Sequence, residues 1–117
     1  MSITQLTLNL GQSSVSLHFT PEAARELQQA LGELMQRLKA VAAKAGAGGG
    51  KPAPQKPVEY RHRGEVYLEV FCNPNIWASP FAAKVLVAVR DDRIQLSAEA
   101  ELTRIVEDVN LYLEQVG

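Results

Sequence analysis

The sequence predicts an α+β fold: antiparallel strands in a sheet, two amphipathic helices packed on one of its faces, in the order ββα, linker, ββββα. Three observations predict it. Several short runs alternate apolar with polar residues, the period of a half-buried strand. Two longer stretches instead repeat apolar residues every three or four positions. Between the two halves lies a glycine- and then proline-rich segment, "GAGGGKPAPQKP", over residues 46–57.

The elements follow in order. In "ITQLTLNL" Leu6, Leu8 and Leu10 alternate, and in "SVSLHF" so do Val15, Leu17 and Phe19. Gly11-Gln12-Ser13 between them suits a tight turn, so the chain opens with a hairpin. Thr20, Pro21 and Glu22 then announce a helix. Thr20 can cap it, Pro21 fits its first position, and Glu22 suits the positive end of its dipole. Its stripe is Leu27, Leu31, Leu34, Leu38 and Val41, and fraying is expected beyond Val41, where nothing large remains to bury. Residues 46–57 cannot form a core, because their side chains are too small to offset the entropy of ordering them. The expectation is one domain over residues 1–117, interrupted by a flexible basic linker.

After the linker, "VEYRH" and "EVYLEVF" read as strands, with Gly64 at the turn between them. "KVLVAV" puts Val85, Val87 and Val89 on one face and Leu86 and Ala88 on the other, which predicts a central strand covered on both sides. "RDDR" reads as a charged turn and "RIQLS" as a short returning strand. Ser97 is then expected to cap a second helix, with Glu99 and Glu101 in its first turn. The stripe of that helix is Leu102, Ile105, Val106, Val109, Tyr112, Leu113 and Val116. The pattern of hairpin, capping residue and helix thus occurs twice, at residues 3–41 and 84–116, as two ordinary ββα units would.

Composition narrows the function classes. Twelve basic and thirteen acidic residues nearly cancel, which argues against a general nucleic-acid coat or a cationic membrane binder. No apolar run approaches the roughly 20 residues that span a bilayer. The start of the sequence lacks the basic, then continuously apolar pattern of a signal peptide, so a cytoplasmic location is expected. Cys72 is the only cysteine, which excludes an intrachain disulfide and any multi-cysteine metal site. The near-neutral total conceals a polarity. Residues 37–63 carry seven cations against Glu59 alone, a net +6, whereas residues 91–117 carry a net −5.

The loop after "EVYLEVFC" is the leading candidate site. Asn73, Pro74 and Asn75 stop the strand, and Ile76, Trp77, Pro80 and Phe81 follow among small residues. Asn-Pro and Ser-Pro steps stiffen such a turn, and tryptophan is a common anchor at interfaces. The loop either folds back to cap the core or presents a preformed anchor set, and it carries nothing titratable between Cys72 and Lys84. A second candidate is basic: Lys51, Lys56, Tyr60, Arg61 and Arg63 interleave an aromatic with cations, the composition of a single-strand nucleic-acid contact. The same residues also suit a solvated linker and a guarded sheet edge.

Catalytic constellations are poor. His18 and His62 have no motif that places either beside Cys72, which reads as a buried, inert thiol. Asp91 and Asp92 are adjacent in a turn rather than opposed across a cleft. "GAGGGK" lacks the spacing of a phosphate loop. No catalytic residue, metal or cofactor is expected.

The segment "EVYLEVFCNPNIWASPFAAKVLVAV" followed by "AELTRIVEDVNLYLEQ" resembles small, poorly characterised proteins of cyanobacteria. That resemblance covers about half of the chain and implies an accessory, house-keeping role in the cytoplasm, with no activity attached. The order of four strands and a helix after the linker is also similar to the transcriptional-coactivator family that binds single-stranded DNA on a curved sheet. Here Glu65 and Glu69 stand where such a sheet would want cations. The expected function is therefore non-enzymatic protein–protein interaction, as an adaptor or assembly protein, the partner being either another protein or a second copy of the chain. Single-stranded nucleic-acid binding is the alternative.

Overall fold

The computed structural model describes residues 5–46 and 54–116. Strands β1 (Gln5–Leu10) and β2 (Ser13–His18) form an antiparallel hairpin, followed by helix α1 (Pro21–Gly46). Strands β3 (Val58–Arg63), β4 (Tyr67–Cys72), β5 (Lys84–Arg90) and β6 (Gln95–Glu101) form a second antiparallel sheet in sequence order, and helix α2 (Leu102–Val116) ends the fold. The α+β class and the order ββα then ββββα are as the sequence predicts. The strands divide into two sheets, however, and the hairpin packs on α2 and β6 without joining their ladder.

The turn of the first hairpin needs a left-handed residue, and Gly11 supplies it at φ +78°. Thr20 caps α1 as expected: its Oγ1 accepts from the Ala23 N–H at 3.1 Å and its carbonyl from Ala24 at 2.9 Å. Leu27, Leu31, Leu34, Leu38 and Val41 are all buried. The helix runs on to Gly46, past the point where fraying was expected. At 26 residues it is about 39 Å long.

One cluster of buried side chains draws on both halves of the chain, from Leu6, Leu8 and Leu27 to Leu68, Val87, Ile105 and Val109. Each fully buried leucine or valine contributes roughly 1.5–3 kcal/mol relative to exposure. Two tyrosines fasten the halves together. Tyr60 of β3 donates to the Ala23 carbonyl at 3.1 Å, and Tyr112 of α2 donates to the Phe19 carbonyl at 2.8 Å. Burial, with a smaller contribution from Glu26, pushes the Tyr60 phenol up to about 12. Asp108 is also buried and accepts from Asn9 twice, from its backbone N–H at 2.7 Å and its side-chain Nδ2 at 2.8 Å. That bond holds β1 to α2. Asp108 is thus a structural staple, set apart from the exposed carboxylates of the acidic C-terminal stretch.

Two further expectations are corrected. Ser97 does not cap a helix. It lies in the middle of β6 opposite Ala88, and Glu99 and Glu101 are strand residues too. The ladder with β5 takes up the backbone of residues 95–101 instead, and Leu102 starts α2 with its N–H on the Ala83 carbonyl at 3.1 Å. Nor is β5 covered on both sides. Val85, Val87 and Val89 are buried, whereas Leu86 is 45% exposed, so the sheet keeps one open face.

Candidate functional site

The loop between β4 and β5 starts with a short 3-10 turn, Pro74–Ile76. Asn73 Oδ1 accepts from the Asn75 N–H at 3.0 Å and from Asn75 Nδ2 at 2.9 Å, which closes the turn locally. The Asn75 amide then exchanges two bonds with the backbone of Gln55, donating to its carbonyl at 2.7 Å and accepting from its N–H at 2.8 Å. Nearby, Arg37 of α1 donates to the carbonyls of Lys56 (2.9 Å) and Pro57 (3.3 Å). The far half of the loop closes on Ser79, whose carbonyl and hydroxyl accept from Ala82.

Within this frame the loop does two things at once. Pro74 and Pro80 are buried and seat it on the fold. Trp77 is half-buried and packs at the edge of the core, lining the same groove as Cys72. Ile76 and Phe81 project outward, 68% and 83% exposed. The sequence offered folding back and presentation as alternatives; the loop divides between them, prolines and indole inward, Ile76 and Phe81 outward.

What the loop borders was not legible beforehand. Phe71 of β4 and Leu86 of β5 are cross-strand neighbours on the open face. With Ile76 and Trp77 they line a groove of about 280 Å³, and Lys84 and Glu99 stand at its rim. Tertiary pairing thus extends the apolar character of the loop onto the sheet. Along the same face Arg90 lies over the Tyr67 ring at 4.3 Å, and the Tyr67 hydroxyl donates to Glu69 at 2.7 Å. Arg61 lies within 3.4 Å of Glu59 and 3.9 Å of Glu69.

The basic set is not brought together as a nucleic-acid site. Tyr60 is 7% exposed and bonded into the core, so its ring cannot stack on a base. Tyr60, Arg61 and Arg63 alternate along one strand, which puts Tyr60 on the inner face and both arginines on the outer one. Lys56 and Arg63 are exposed, and Lys51 lies outside the described residues.

The titratable residues do not form a constellation around Cys72. The thiol is buried, and burial pushes it up, against a smaller opposing effect of the Trp77 N–H. His62 sits opposite Leu68, four residues along the ladder from Cys72, or about 13 Å. His18 is 3.3 Å from Glu65. His18 and Asp91 border a separate cleft of about 250 Å³ beside Val66 and Ile94. Backbone N–H bonds from Arg93 and Ile94 hold the Asp91 carboxyl below the usual carboxylate range and commit it to its own turn. Among the described residues no three His, Cys, Asp or Glu side chains gather as metal ligands, and no helix is long and apolar enough to cross a membrane.

No family model, curated protein or solved structure matches the chain.

Proposed function

We propose that the chain is a non-enzymatic interaction protein, an adaptor or assembly factor that docks a protein partner on the groove between the Trp77 loop and the open face of the sheet. The observation that carries this reading is the continuity of Phe71, Leu86, Ile76 and Trp77 on the surface, with two buried prolines holding the loop in place. An apolar surface that is rigid before binding loses little entropy on docking. Ile76 and Leu86 leave apolar surface at this groove open to water, and Phe81 is exposed farther along the same loop.

The nucleic-acid alternative is weaker on the same face. The outward residues of the four strands carry four cations, Arg61, Arg63, Lys84 and Arg90, against four carboxylates, Glu59, Glu69, Glu99 and Glu101. Such a face offers a phosphate backbone no net attraction.

The test is a photo-crosslinking residue at Ile76, with the same residue at exposed Glu22 as the control. A discrete protein adduct from position 76 and none from position 22 is expected in native lysate. Equal, diffuse labelling from both positions would remove the proposal.

A further inference from the structure

We infer that the occupant of the open sheet face is a second copy of this chain, packed face to face about a two-fold axis that runs across the strands. The inference rests on the reading of that face as a docking surface and names what docks there.

It follows from the strand registers. They sort the outward side chains into three rows that cross all of β3, β4, β5 and β6, with the neutral pair Lys84 and Glu101 beyond the third row on β5 and β6 alone. One row holds Arg63, Tyr67, Arg90 and Gln95, for a charge of +2. The middle row holds Arg61, Glu69, Ala88 and Ser97, for a charge of zero. The third holds Glu59, Phe71, Leu86 and Glu99, for a charge of −2. A total near zero thus hides an ordered gradient along the strands.

A gradient of this kind is self-complementary under one operation. A two-fold axis lying over the middle row, perpendicular to the strands, reverses the order of the rows in the second copy. The +2 row of each copy then covers the −2 row of the other, twice over. Arg63 lies over the partner's Glu59, and Tyr67 over the partner's Phe71. The middle row meets itself, Arg61 on the partner's Arg61 and Glu69 on the partner's Glu69, and these contacts are offset because Arg61 lies beside Glu69 in each copy and the Tyr67 hydroxyl donates to Glu69. The other in-plane axis, parallel to the strands, would set every row on its own copy, +2 on +2 and −2 on −2, an arrangement of like charges that specific interfaces avoid. The preferred operation is isologous, so it closes at two copies and leaves no growing edge.

The area sets the strength. Four strands about 4.8 Å apart and rows spanning about five residues give a face of roughly 19 × 17 Å. Each copy therefore buries on the order of 300 Å² from the sheet, and Ile76 adds to that at the groove. The total lies below the ~1,200 Å² of a stable complex, so the dimer is weak, with a Kd of about micromolar or above.

Sedimentation velocity from roughly 1 μM to 1 mM tests this. A concentration-dependent monomer–dimer equilibrium is expected. Arg63→Glu and Glu59→Arg, both on exposed side chains, should each weaken it by about tenfold or more by creating two repulsive contacts per dimer. An equimolar mixture of the two variants should recover dimer, because each reversed charge then meets its complement. A chain that stays monomeric throughout overturns the inference. So does a dimer indifferent to both reversals, or one that the mixture fails to restore while both variants keep the wild-type Tm. A monomeric chain that still gives a specific adduct from Ile76 with another protein sinks the homodimer and leaves the docking reading standing.

Discussion

The two faces of the four-stranded sheet are built from the same strands and differ in nearly everything else. On the inner face Leu68, Val70, Val85, Val87 and Val89 are all at most 3% exposed. On the outer face their immediate neighbours are charged residues, with Phe71, Leu86 and Tyr67 set among them. Alternation along a strand is a two-residue period, so each strand supplies both surfaces without compromise. The inner face is where the sheet gains its stability. The outer face contributes little to folding and is free to carry a docking surface.

That contrast can be broken in several ways, the largest effect first. Leu68→Ala, on the inner face, should cost about 2–5 kcal/mol in urea unfolding, since it removes a wholly buried side chain and leaves a cavity. A loss below 1 kcal/mol would mean that the core repacks freely. Asp108→Ala should cost about 1–3 kcal/mol, because it leaves the part-buried Asn9 donors without their acceptor. Its exposed neighbour Glu107→Ala should stay within about 0.5 kcal/mol. Equal losses at the two positions would contradict the staple between β1 and α2.

Tyr60→Phe sharpens the comparison by pH. The folded phenol titrates near 12, above its ordinary value of 10. The proton is therefore held more tightly in the folded chain. The stability this contributes is complete below about pH 10 and is lost as pH rises from there through about 12. Wild-type unfolding followed from pH 8 to 11 should show a downward slope, to which the raised Cys72 thiol and Tyr112 phenol also contribute, and Tyr60→Phe should make that slope measurably shallower. Identical slopes would assign the alkaline loss to other groups. The smallest effect on stability belongs to Leu86→Ala, within about 0.5 kcal/mol at a partly exposed site. The same variant should abolish the specific adduct from Ile76. If Leu86→Ala unfolds the chain instead, the outer face is part of the core after all.

Much of the fold was legible in the sequence, and the reasons are local. The alternation in residues 5–19 and 67–72, the Thr20 cap and the α1 stripe each depend only on neighbours along the chain. The start of α2 was not legible. Ser97-Ala98-Glu99-Ala100 has helical composition, and only the ladder with β5 makes it a strand. Leu86 failed for a related reason: in "KVLVAV" an apolar residue on an open face looks the same as one on a covered face. The loop was found from its residue types, but Phe71 and Leu86 beneath it required the β4–β5 register. Tyr60 is different. The alternation of Val58, Tyr60 and His62 with Glu59, Arg61 and Arg63 carried a usable signal for burial, overridden by the attraction of an aromatic between cations.

The doubled amide exchange between Gln55 and Asn75, with Arg37 clasping the next two carbonyls, moors the polypeptide firmly where it re-enters the fold. Scission anywhere between residues 46 and 54 would therefore release two peptides whose leucines, valines and tyrosines still require one another. Mixed in the test tube, they should reassociate as a noncovalent pair.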